Sequence, residues 1–426
     1  MTDIFSLDVR RARKGDCMLL HFGTPQAPRV MLIDGGPTQV YAPFLRPRLM
    51  EMRVKRQLQD AVPLPIDVVM VSHIDDDHIQ GILDLTREAI TRDNEHKPPL
   101  FQLRALWHNS FDDLVGKVPA ELASTAASVC ASLSGDGGTA GTILDERGYS
   151  AAMVLASVPQ GRQLRSDAER LHVPVNGAFD GELIRAGAHP GLLADQVDPK
   201  VVGPTRDELV ALKKQHDDWL KAHPPSTRTE QSLAAYVDES VTNLSSIVAL
   251  VEAGGKRMLL TGDARGDSIL AGLESAGLLA ANGTLHVDIL KVPHHGSSNN
   301  VEKGFFERIV ADHYVFSGNG ENGNPERETM EMLLSARGGA PFTIHLTYPL
   351  DEIDAARKAD WLKQRGREVK LAAKSSKAKK PRPDWSAETQ SLTAFFSEGR
   401  LRQGQVLSVV DKQRAHVIDL LDPLGF

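Results

Sequence analysis

The sequence predicts an α/β protein in which helices cover a pair of buried sheets. Short apolar, β-branched runs alternate with helical segments along the chain. A continuous apolar run such as residues 66–71 is typical of a strand that is covered on both faces. The strands fall into two blocks, separated by a long stretch rich in Ala, Ser and Gly. Together these observations favour one layered core with an insertion.

Length and composition exclude several other classes of protein. The 426 residues exceed one average domain of about 100–200 residues. With 41% apolar and 25% charged residues, the chain is neither collagen-like, coiled-coil nor wholly disordered. No apolar run approaches the roughly 18 residues of a membrane span, and the N-terminus lacks the apolar region of a signal peptide. Two cysteines are too few for a disulfide framework, so we expect a cytoplasmic protein without membrane association.

The first block begins with an expected hairpin and continues to a buried strand that ends in polar residues. Its second strand ends at an Asp-Gly-Gly turn over 34–36. The predicted elements are strands 18–22 and 30–33, helix 46–59, strand 66–71, helix 79–90 and strand 102–107.

The second block returns to regular strands and ends in an expected C-terminal hairpin. Its predicted elements are strands 246–251 and 257–260, helix 267–275, strand 287–292, helix 301–309, strands 313–316 and 343–347, helix 352–365, and the hairpin 406–410 with 416–420. The resulting division is residues 1–110 and 243–350 as two halves of one domain, 111–242 as a partly helical insertion, and 351–426 as an extension with a helix, a basic segment and the hairpin.

A cluster of metal-binding side chain types follows the strand 66–71. His73, Asp75, Asp77 and His78 lie within six consecutive positions between this strand and a helix. Burying three neighbouring carboxylates, Asp76 included, without cations would cost several kcal/mol. The alternative is an exposed acidic turn with bystander histidines. Histidines at both ends of the loop, directly after a core strand, favour a metal-binding loop.

Two later strands also end in polar residues of the same types. Leu-Leu-Thr-Gly-Asp places Asp263 at a strand end, and Val-Pro-His-His-Gly-Ser places His294 and His295 after the next strand. Ligand sites in open α/β sheets lie at the carboxyl ends of strands. We therefore expect these side chains to meet the 73–78 loop.

As a set, these motifs resemble the metallo-β-lactamase fold superfamily, and they are most similar to the hydrolase domain of ComEC-like DNA-uptake proteins. The likeness includes the Asp-Gly-Gly turn and covers about residues 10–110 and 240–350. It implies a metallo-β-lactamase-type αββα four-layer sandwich with a helical insertion and a C-terminal extension. It also implies two divalent metal ions, Zn²⁺ or Mn²⁺ with Mg²⁺ as a further option.

The resemblance assigns metal binding to residues at matching positions. His73 with Asp75 would hold one ion, Asp77 with His78 the other, and Asp263 would bridge them. Asp75 stands where the superfamily usually has histidine, and this harder oxygen ligand favours Mn²⁺ or Mg²⁺ without excluding Zn²⁺. The full assigned set is His73, Asp75, Asp77, His78, His108, Asp263 and His295. The alternative for His108 is a hydrogen-bonded core histidine.

The implied chemistry is attack on a phosphodiester by a hydroxide held between the two metals. Asp77 and His294 are assigned to catalysis, with His294 donating a proton or contacting substrate and His345 or water as alternative donors. Asp34 is expected to fix the loop near the metals rather than to bind them. Asp76 is expected to point outward or to contact the residues around the metal ligands. Ser297 and Asn324 are expected to contact substrate, and Asn324 replaces the histidine of a Gly-His-Pro motif in ComEC-like domains.

A basic segment suggests a polymeric anion as substrate. Residues 363–382 contain nine basic residues and one acid, in a chain of net charge −7. Phosphate contacts are expected from Lys374, Lys377, Lys379 and Lys380. The alternative is a solvated loop.

The sequence therefore predicts a metal-dependent phosphodiesterase or nuclease acting on DNA. One alternative is hydrolysis of a small phosphodiester, a lactone or a lactam, with the insertion closing the pocket. Another is a binding or regulatory protein with a degraded site. We further expect that the insertion or a regulatory protein partner limits the activity of such a nuclease.

Overall fold

A computed structural model describes residues 3–115, 146–194, 197–222, 245–374, 380–411 and 415–425. No helix in these ranges is both long and apolar enough to cross a membrane. The helices are α1 Arg46–Lys55, α2 Asp76–Asn94, α3 Phe111–Val115, α4 Glu146–Arg170, α5 Arg206–Ala222, α6 Gly266–Ser275, α7 Lys303–Arg308, α8 Arg327–Arg337, α9 Leu350–Lys374, α10 Ala387–Gln390 and α11 Leu392–Ser397.

The strands form two large sheets and a small ribbon. The first sheet has the order β15-β1-β2-β3-β5-β7, the second has the order β14-β13-β12-β11-β10-β9-β8, and β4 pairs with β6. The strands are β1 Ile4–Val9, β2 Met18–Thr24, β3 Ala27–Ile33, β4 Leu64–Ile66, β5 Val68–Val71, β6 Phe101–Leu103, β7 Leu106–His108, β8 Asp198–Gly203, β9 Val248–Ala253, β10 Lys256–Leu260, β11 Leu285–Lys291, β12 Ile309–Phe316, β13 Phe342–Leu346, β14 Gln405–Val409 and β15 His416–Asp419.

Three apolar clusters define four layers. The central cluster contains side chains of both sheets, such as Leu20 and Ile289. A second cluster joins the first sheet to α1, α2 and α4, for example through Leu49. A third joins the second sheet to α6 through α9 and to α11, for example through Phe305 and Met330. The order helix, sheet, sheet, helix confirms the predicted metallo-β-lactamase-type αββα sandwich.

Strand β5 shows why these strands are apolar at consecutive positions. Val68 and Met70 lie in the cluster between the sheets, whereas Val69 and Val71 lie in the cluster under the helices. Side chains of a strand alternate between its two faces, so a covered strand needs apolar residues at every position. The prediction of a strand buried on both faces is confirmed.

The predicted C-terminal hairpin is wrong. Strand β14 pairs in parallel with β13 in the second sheet. Strand β15 pairs antiparallel with β1, a strand absent from the sequence-based prediction, at the edge of the first sheet. Two β-type runs joined by a short connection resemble a hairpin in sequence. In a sandwich the same short connection also carries the chain from one sheet to the other.

Segment 111–242 contributes to two layers of the sandwich, although its boundaries stay a prediction. Strand β8 pairs antiparallel with β9 and forms one edge of the second sheet. Helix α4 packs on the first sheet with α1 and α2, through Leu164 and Ala168. The described parts of this segment are therefore built into the sandwich.

Strand direction brings polar residues to one edge of the sandwich. Strands β3, β5 and β7 are parallel, as are β10 through β14. Strand β2 is antiparallel to β3, with Met18 opposite Ile33, so the start of β2 lies at the same edge as the end of β3. The residues that precede β2 and those that follow the parallel strands therefore meet.

A row of three histidines, from β12, β13 and β15, joins the two sheets. Nδ1 of His313 lies 3.0 Å from Nε2 of His345, and Nδ1 of His345 lies 2.8 Å from Nε2 of His416. Burial lowers the pKa of His345 to about 3, with His416 and His313 adding to the shift. Both ring nitrogens of His345 are engaged in this row, so its proposed role as proton donor to substrate is wrong.

This row is expected to make the fold acid-sensitive. The unfolded chain binds a proton at His345 near its ordinary pKa of 6.5, and the folded chain binds it only near 3. Stability is therefore retained above about pH 6.5 and lost as the pH falls, by up to about 1.4 kcal/mol per pH unit. In urea titrations between about pH 6.5 and 4, His345→Gln should lose less stability than the wild type. Equal losses in the two proteins would contradict this assignment.

Candidate metal centre

The loop between β5 and α2 supplies the first side chains of the centre. His73 lies two residues beyond β5, α2 begins at Asp76, and His78 lies in its first turn. Asp76 and Asp77 suit this position because carboxylates are stabilised at a helix N-terminus. The rings of His73 and His78 are buried, with centroids 4.1 Å apart. The short loop therefore turns both imidazoles into one space.

The second sheet places a carboxylate in the middle of this space. Oδ1 of Asp263 lies 3.4 Å from Nε2 of His78, and Oδ2 lies 3.4 Å from Nε2 of His295. Oδ2 is also 3.8 Å from Nε2 of both His73 and His294. As expected, the motifs that follow β5, β10 and β11 are brought together.

A strained turn presents the two adjacent histidines. His294 and His295 have φ values of 46° and 55°, in the left-handed region. This conformation costs roughly 1–2 kcal/mol for a residue with a side chain. Residues held in such conformations cluster at functional sites, where surrounding structure maintains them. Here the turn aims both imidazoles at Asp263.

Several buried polar atoms in the centre have no hydrogen-bond partner among the described residues. They are Nε2 of His73, His78 and His295, and one oxygen each of Asp16, Asp75 and Asp263. Leaving such groups unpaired costs about 1–3 kcal/mol each. His73, His78 and Asp263 form one group whose ligand atoms lie within 4.8 Å of one another, and Asp77, His78 and His295 form another. Imidazole and carboxylate ligands of this kind fit Zn²⁺ or Mn²⁺.

The opposite nitrogen of each histidine is held by protein groups. Nδ1 of His78 lies 2.9 Å from Oδ2 of Asp34, and Nδ1 of His295 lies 3.3 Å from Oδ1 of Asp16. Nδ1 of His73 lies 3.1 Å from the hydroxyl of Ser72, which donates to Asp34. Such contacts fix a histidine's orientation and leave its other nitrogen for a metal. The prediction that Asp34 fixes the loop is confirmed.

The centre also contains two residues that sequence analysis missed. Asp16 precedes β2 and is fully buried; it accepts a hydrogen bond from the hydroxyl of Ser317. Lys291, the last residue of β11, is also fully buried, with Nζ 2.5 Å from Oδ2 of Asp16 and 3.7 Å from Oδ1 of Asp263. Two signals were available: Gly-Asp at 15–16 repeats the Gly-Asp at 262–263, and a lysine stands between the apolar residues Leu290 and Val292.

Attraction between the histidine side chains and the buried carboxylates shifts the pKa values of both. Burial lowers the pKa of His295, but Asp263 and Asp16 outweigh it and raise the pKa to about 9. Burial also lowers the pKa of His78, but the carboxylates of Asp263 and Asp34 have the larger effect and raise it well above its ordinary value. The pKa of Asp263 is held well below its ordinary value, against burial, by His295 and His78. Metal binding would therefore release protons from these histidines.

Two of the predicted ligands stand apart from these groups. Asp75 has Oδ2 3.5 Å from Nε2 of His73, but it belongs to neither three-residue group. His108 ends β7 and is fully buried, and burial lowers its pKa to about 3. Within the described residues its ring nitrogens have no partner, and it belongs to no ligand group. Its Nε2 lies near Gly161 of α4, where an added Cβ would come within 3.7 Å.

The remaining predicted site residues divide into a near set and a distant set. Ser297 and Asn324 are largely buried beside the histidine turn, and the Asn324 amide donates to the carbonyl of His294 over 3.5 Å. The His294 side chain is 22% exposed, against 4% for His295. Asp76 accepts a hydrogen bond from Gln160 of α4. Lys374 ends α9 and Lys380 is exposed, whereas Lys377 and Lys379 lie outside the described residues.

Loss of the Asp34 carboxylate is expected to weaken metal binding by about 10–100-fold. In Asp34→Asn, the amide no longer offers two acceptor oxygens to Ser72 and His78, so the His78 ring loses its fixed orientation. Competition with a chromophoric chelator for Zn²⁺ measures the change. Asp67→Asn is the matched control because Asp67 binds Arg29 and Arg104. Equal affinities in the two variants would contradict the role of Asp34.

Comparison with known proteins identifies no family for this chain. No family model matches it. Microtubule-associated protein 1A of Mus musculus is 29% identical over 101 residues, which cover 23% of this chain and 4% of that protein. The Rattus norvegicus protein of the same name is 28% identical over 123 residues, again 4% of its length. The chain thus matches only a small part of these relatives.

Two solved structures are similar over most of the chain. One, from Parabacteroides distasonis and described as a candidate metal-dependent hydrolase, has a TM-score of 0.29 and 9% identity over 80% of this chain and 98% of its own. The other, Zn²⁺-bound PqqB from Methylobacterium extorquens, has a TM-score of 0.30 and 13% identity over 95% and 87%. At these scores neither likeness carries an argument. The protein's own layers and side chains define an αββα sandwich whose two sheets bring histidine and aspartate into one buried candidate metal centre.

Proposed function

We propose that this protein is a metal-dependent hydrolase that cleaves phosphodiester bonds, with DNA as its substrate. The observation that supports metal use is the convergence of three Nε2 atoms, from His73, His78 and His295, on the carboxylate of Asp263. These atoms are buried, and the imidazole nitrogens have no hydrogen-bond partner among the described residues. Two divalent ions, when bound, would supply a water nucleophile activated near neutral pH and charge neutralisation for the phosphoryl group.

The protein's own residues would divide between holding metal and contacting substrate. His73 with Asp263, extended by Asp75, would hold one ion, and Asp77 with His78 and His295 the other. His294 is the most exposed imidazole of the centre and faces Asp263 from the open side. Burial lowers its pKa, with Asp263 opposing the shift. The lowered pKa favours the neutral imidazole, and we assign this ring to a hydrogen bond with the substrate rather than to proton storage.

The position of α9 favours a polymeric substrate. Arg357, near the start of α9, donates to the carbonyl of Gly323, next to Asn324 at the centre. The whole 25-residue helix is about 37 Å long, and beyond Arg357 it carries the exposed lysines Lys363 and Lys370. The returning chain binds to α9 through Arg382 and Glu368. Exposed cations along a path that leads from the centre suit a phosphate backbone.

The test is cleavage by the metal-loaded protein of circular DNA, linear DNA and bis-p-nitrophenyl phosphate, with Mn²⁺, Mg²⁺ or Zn²⁺. Cleavage of circular DNA would support a nuclease with endonuclease activity. Cleavage of the small diester alone would favour the small-phosphodiester alternative. Absence of cleavage with metal demonstrably bound would overturn the proposed phosphodiesterase activity.

Neutralising the exposed lysines along α9 should reduce cleavage of DNA but not hydrolysis of the small diester. In the triple variant of Lys363, Lys370 and Lys380 to Gln, DNA cleavage should fall about tenfold or more and its salt dependence should weaken. Hydrolysis of bis-p-nitrophenyl phosphate should stay unchanged because the centre is untouched. The control replaces three exposed lysines on other elements: Lys97, Lys214 and Lys221. Equal losses in both triple variants would contradict a specific track along α9.

A further inference from the structure

Lys291 is a cation built into the interior of the centre. Its side chain is 0% exposed, and its Nζ lies 2.5 Å from Oδ2 of Asp16. The ammonium also donates to the carbonyl of Gly262 over 2.9 Å. A buried charge is strongly unfavourable without a partner, so the lysine depends on these acceptors. The metal-binding roles described above make no use of it.

The ammonium lies against a third group of ligand atoms. Asp16, Asp263 and His295 offer atoms within 4.8 Å of one another, as a three-ligand metal pocket would. Lys291 Nζ approaches both carboxylates of this group, at 2.5 Å from Asp16 and 3.7 Å from Asp263. The group is therefore already provided with a positive charge.

A fourth group, of Asp16, Asp34 and His78, is partly held by protein groups. Oδ2 of Asp34 accepts a hydrogen bond from the hydroxyl of Ser72 and lies 2.9 Å from Nδ1 of His78. Unpartnered atoms occur in all four groups, because the groups share His78, His295 and Asp263. The third group is the one in which a buried ammonium approaches both carboxylates.

We propose that Lys291 takes the place of a further divalent ion among Asp16, Asp263 and His295, and so limits the centre to the ions that His73 and Asp77 face. The lysine is a positioning residue: it holds Asp16 beside His295 and keeps this third pocket closed to metal. The inference rests on the proposed metal dependence but not on the choice of DNA as substrate. A divalent ion becomes the favoured counter-charge once the ammonium is gone.

The test measures Zn²⁺ stoichiometry of the full-length protein. Wild type and Lys291→Ala are stripped with chelator, dialysed against Zn²⁺ and measured by elemental analysis. Lys291→Ala leaves both carboxylates and opens space, so it should bind about one Zn²⁺ per chain more than the wild type, with a larger rise in melting temperature on metal addition. The double variant Lys291→Ala with Asp16→Asn should lose this gain. Lys256→Ala is the matched control, since it removes a half-exposed lysine from its pair with Asp288.

A folded Lys291→Ala protein without the additional Zn²⁺, or a gain that persists in the double variant, would overturn the inference. If Lys291→Ala folds only when Zn²⁺ is present, the metal has replaced the ammonium and the inference is supported. Failure of Zn²⁺ to restore folding would overturn it. The readout is the difference between variant and wild type, so it is distinct from the cleavage assays that test the proposed function.

Discussion

Asp263→Asn is expected to abolish hydrolysis of circular DNA and bis-p-nitrophenyl phosphate, with a loss of about 10³-fold or more in turnover. Its two carboxylate oxygens face different imidazoles: Oδ1 lies 3.4 Å from His78, and Oδ2 lies 3.4 Å from His295. An asparagine keeps the shape of the side chain but removes its negative charge. It also places an NH2 group where one carboxylate oxygen would bind metal beside the imidazoles. Metal content should therefore fall together with activity.

The matched control for this prediction is Asp267→Asn, four residues further along the chain. Asp267 is exposed and pairs with Arg265 at the start of α6. Its replacement should leave activity and metal content unchanged. Thermal unfolding of both variants shows whether they fold. A folded Asp263→Asn protein with wild-type turnover would contradict the central position of this carboxylate.

Asp16→Asn is expected to destabilise the protein by about 3–5 kcal/mol, the usual effect of removing one partner from a buried ion pair. The carboxylate accepts from Lys291 and Ser317 and lies 3.3 Å from Nδ1 of His295. The amide cannot balance the lysine charge. Among the described residues, the other carboxylate oxygen within 4 Å of the ammonium is Oδ1 of Asp263, at 3.7 Å.

Urea unfolding in the presence of chelator measures this loss without a contribution from metal. Asp67→Asn serves as the comparison because Asp67 pairs with Arg29 and Arg104, which are about half exposed. Pairs of that kind contribute about 0–1 kcal/mol. If Asp16→Asn is no less stable than Asp67→Asn, the buried pair is not the stabilising contact that the geometry indicates.

The sequence was informative where ligand residues directly follow strands. Asp263 and His295 each follow an apolar run, and the carboxyl ends of parallel strands share an edge. Asp16 could not be found in this way because it precedes an antiparallel strand. Its place beside the others depends on the pairing of Met18 with Ile33, and strand register is not visible in the sequence. Lys291 was missed because β11 also contains His286 and Asp288, so a further polar residue in this strand did not stand out.

The topology of the C-terminal strands was likewise hidden. Strands β14 and β15 were located nearly to the residue, but local sequence does not say which sheet edge each strand joins. The pairing of β15 with β1 depends on contacts such as Ser6 with Asp419. The bond between His345 and His416 shows the same thing, because it joins β13 of one sheet to β15 of the other. His108 was correctly expected at the end of a strand, but its ring lies outside the ligand groups.

The pairing of β1 with β15 has a consequence for the order of events during synthesis. Ser6 and Asp419 are 413 residues apart in the chain. Ribosomes add about 5–20 residues per second, so β1 emerges well before its neighbour exists. During that interval one edge of β1 is open to other strands, which is a hazard for association between nascent chains. The first sheet is therefore completed only after β15 has been synthesised.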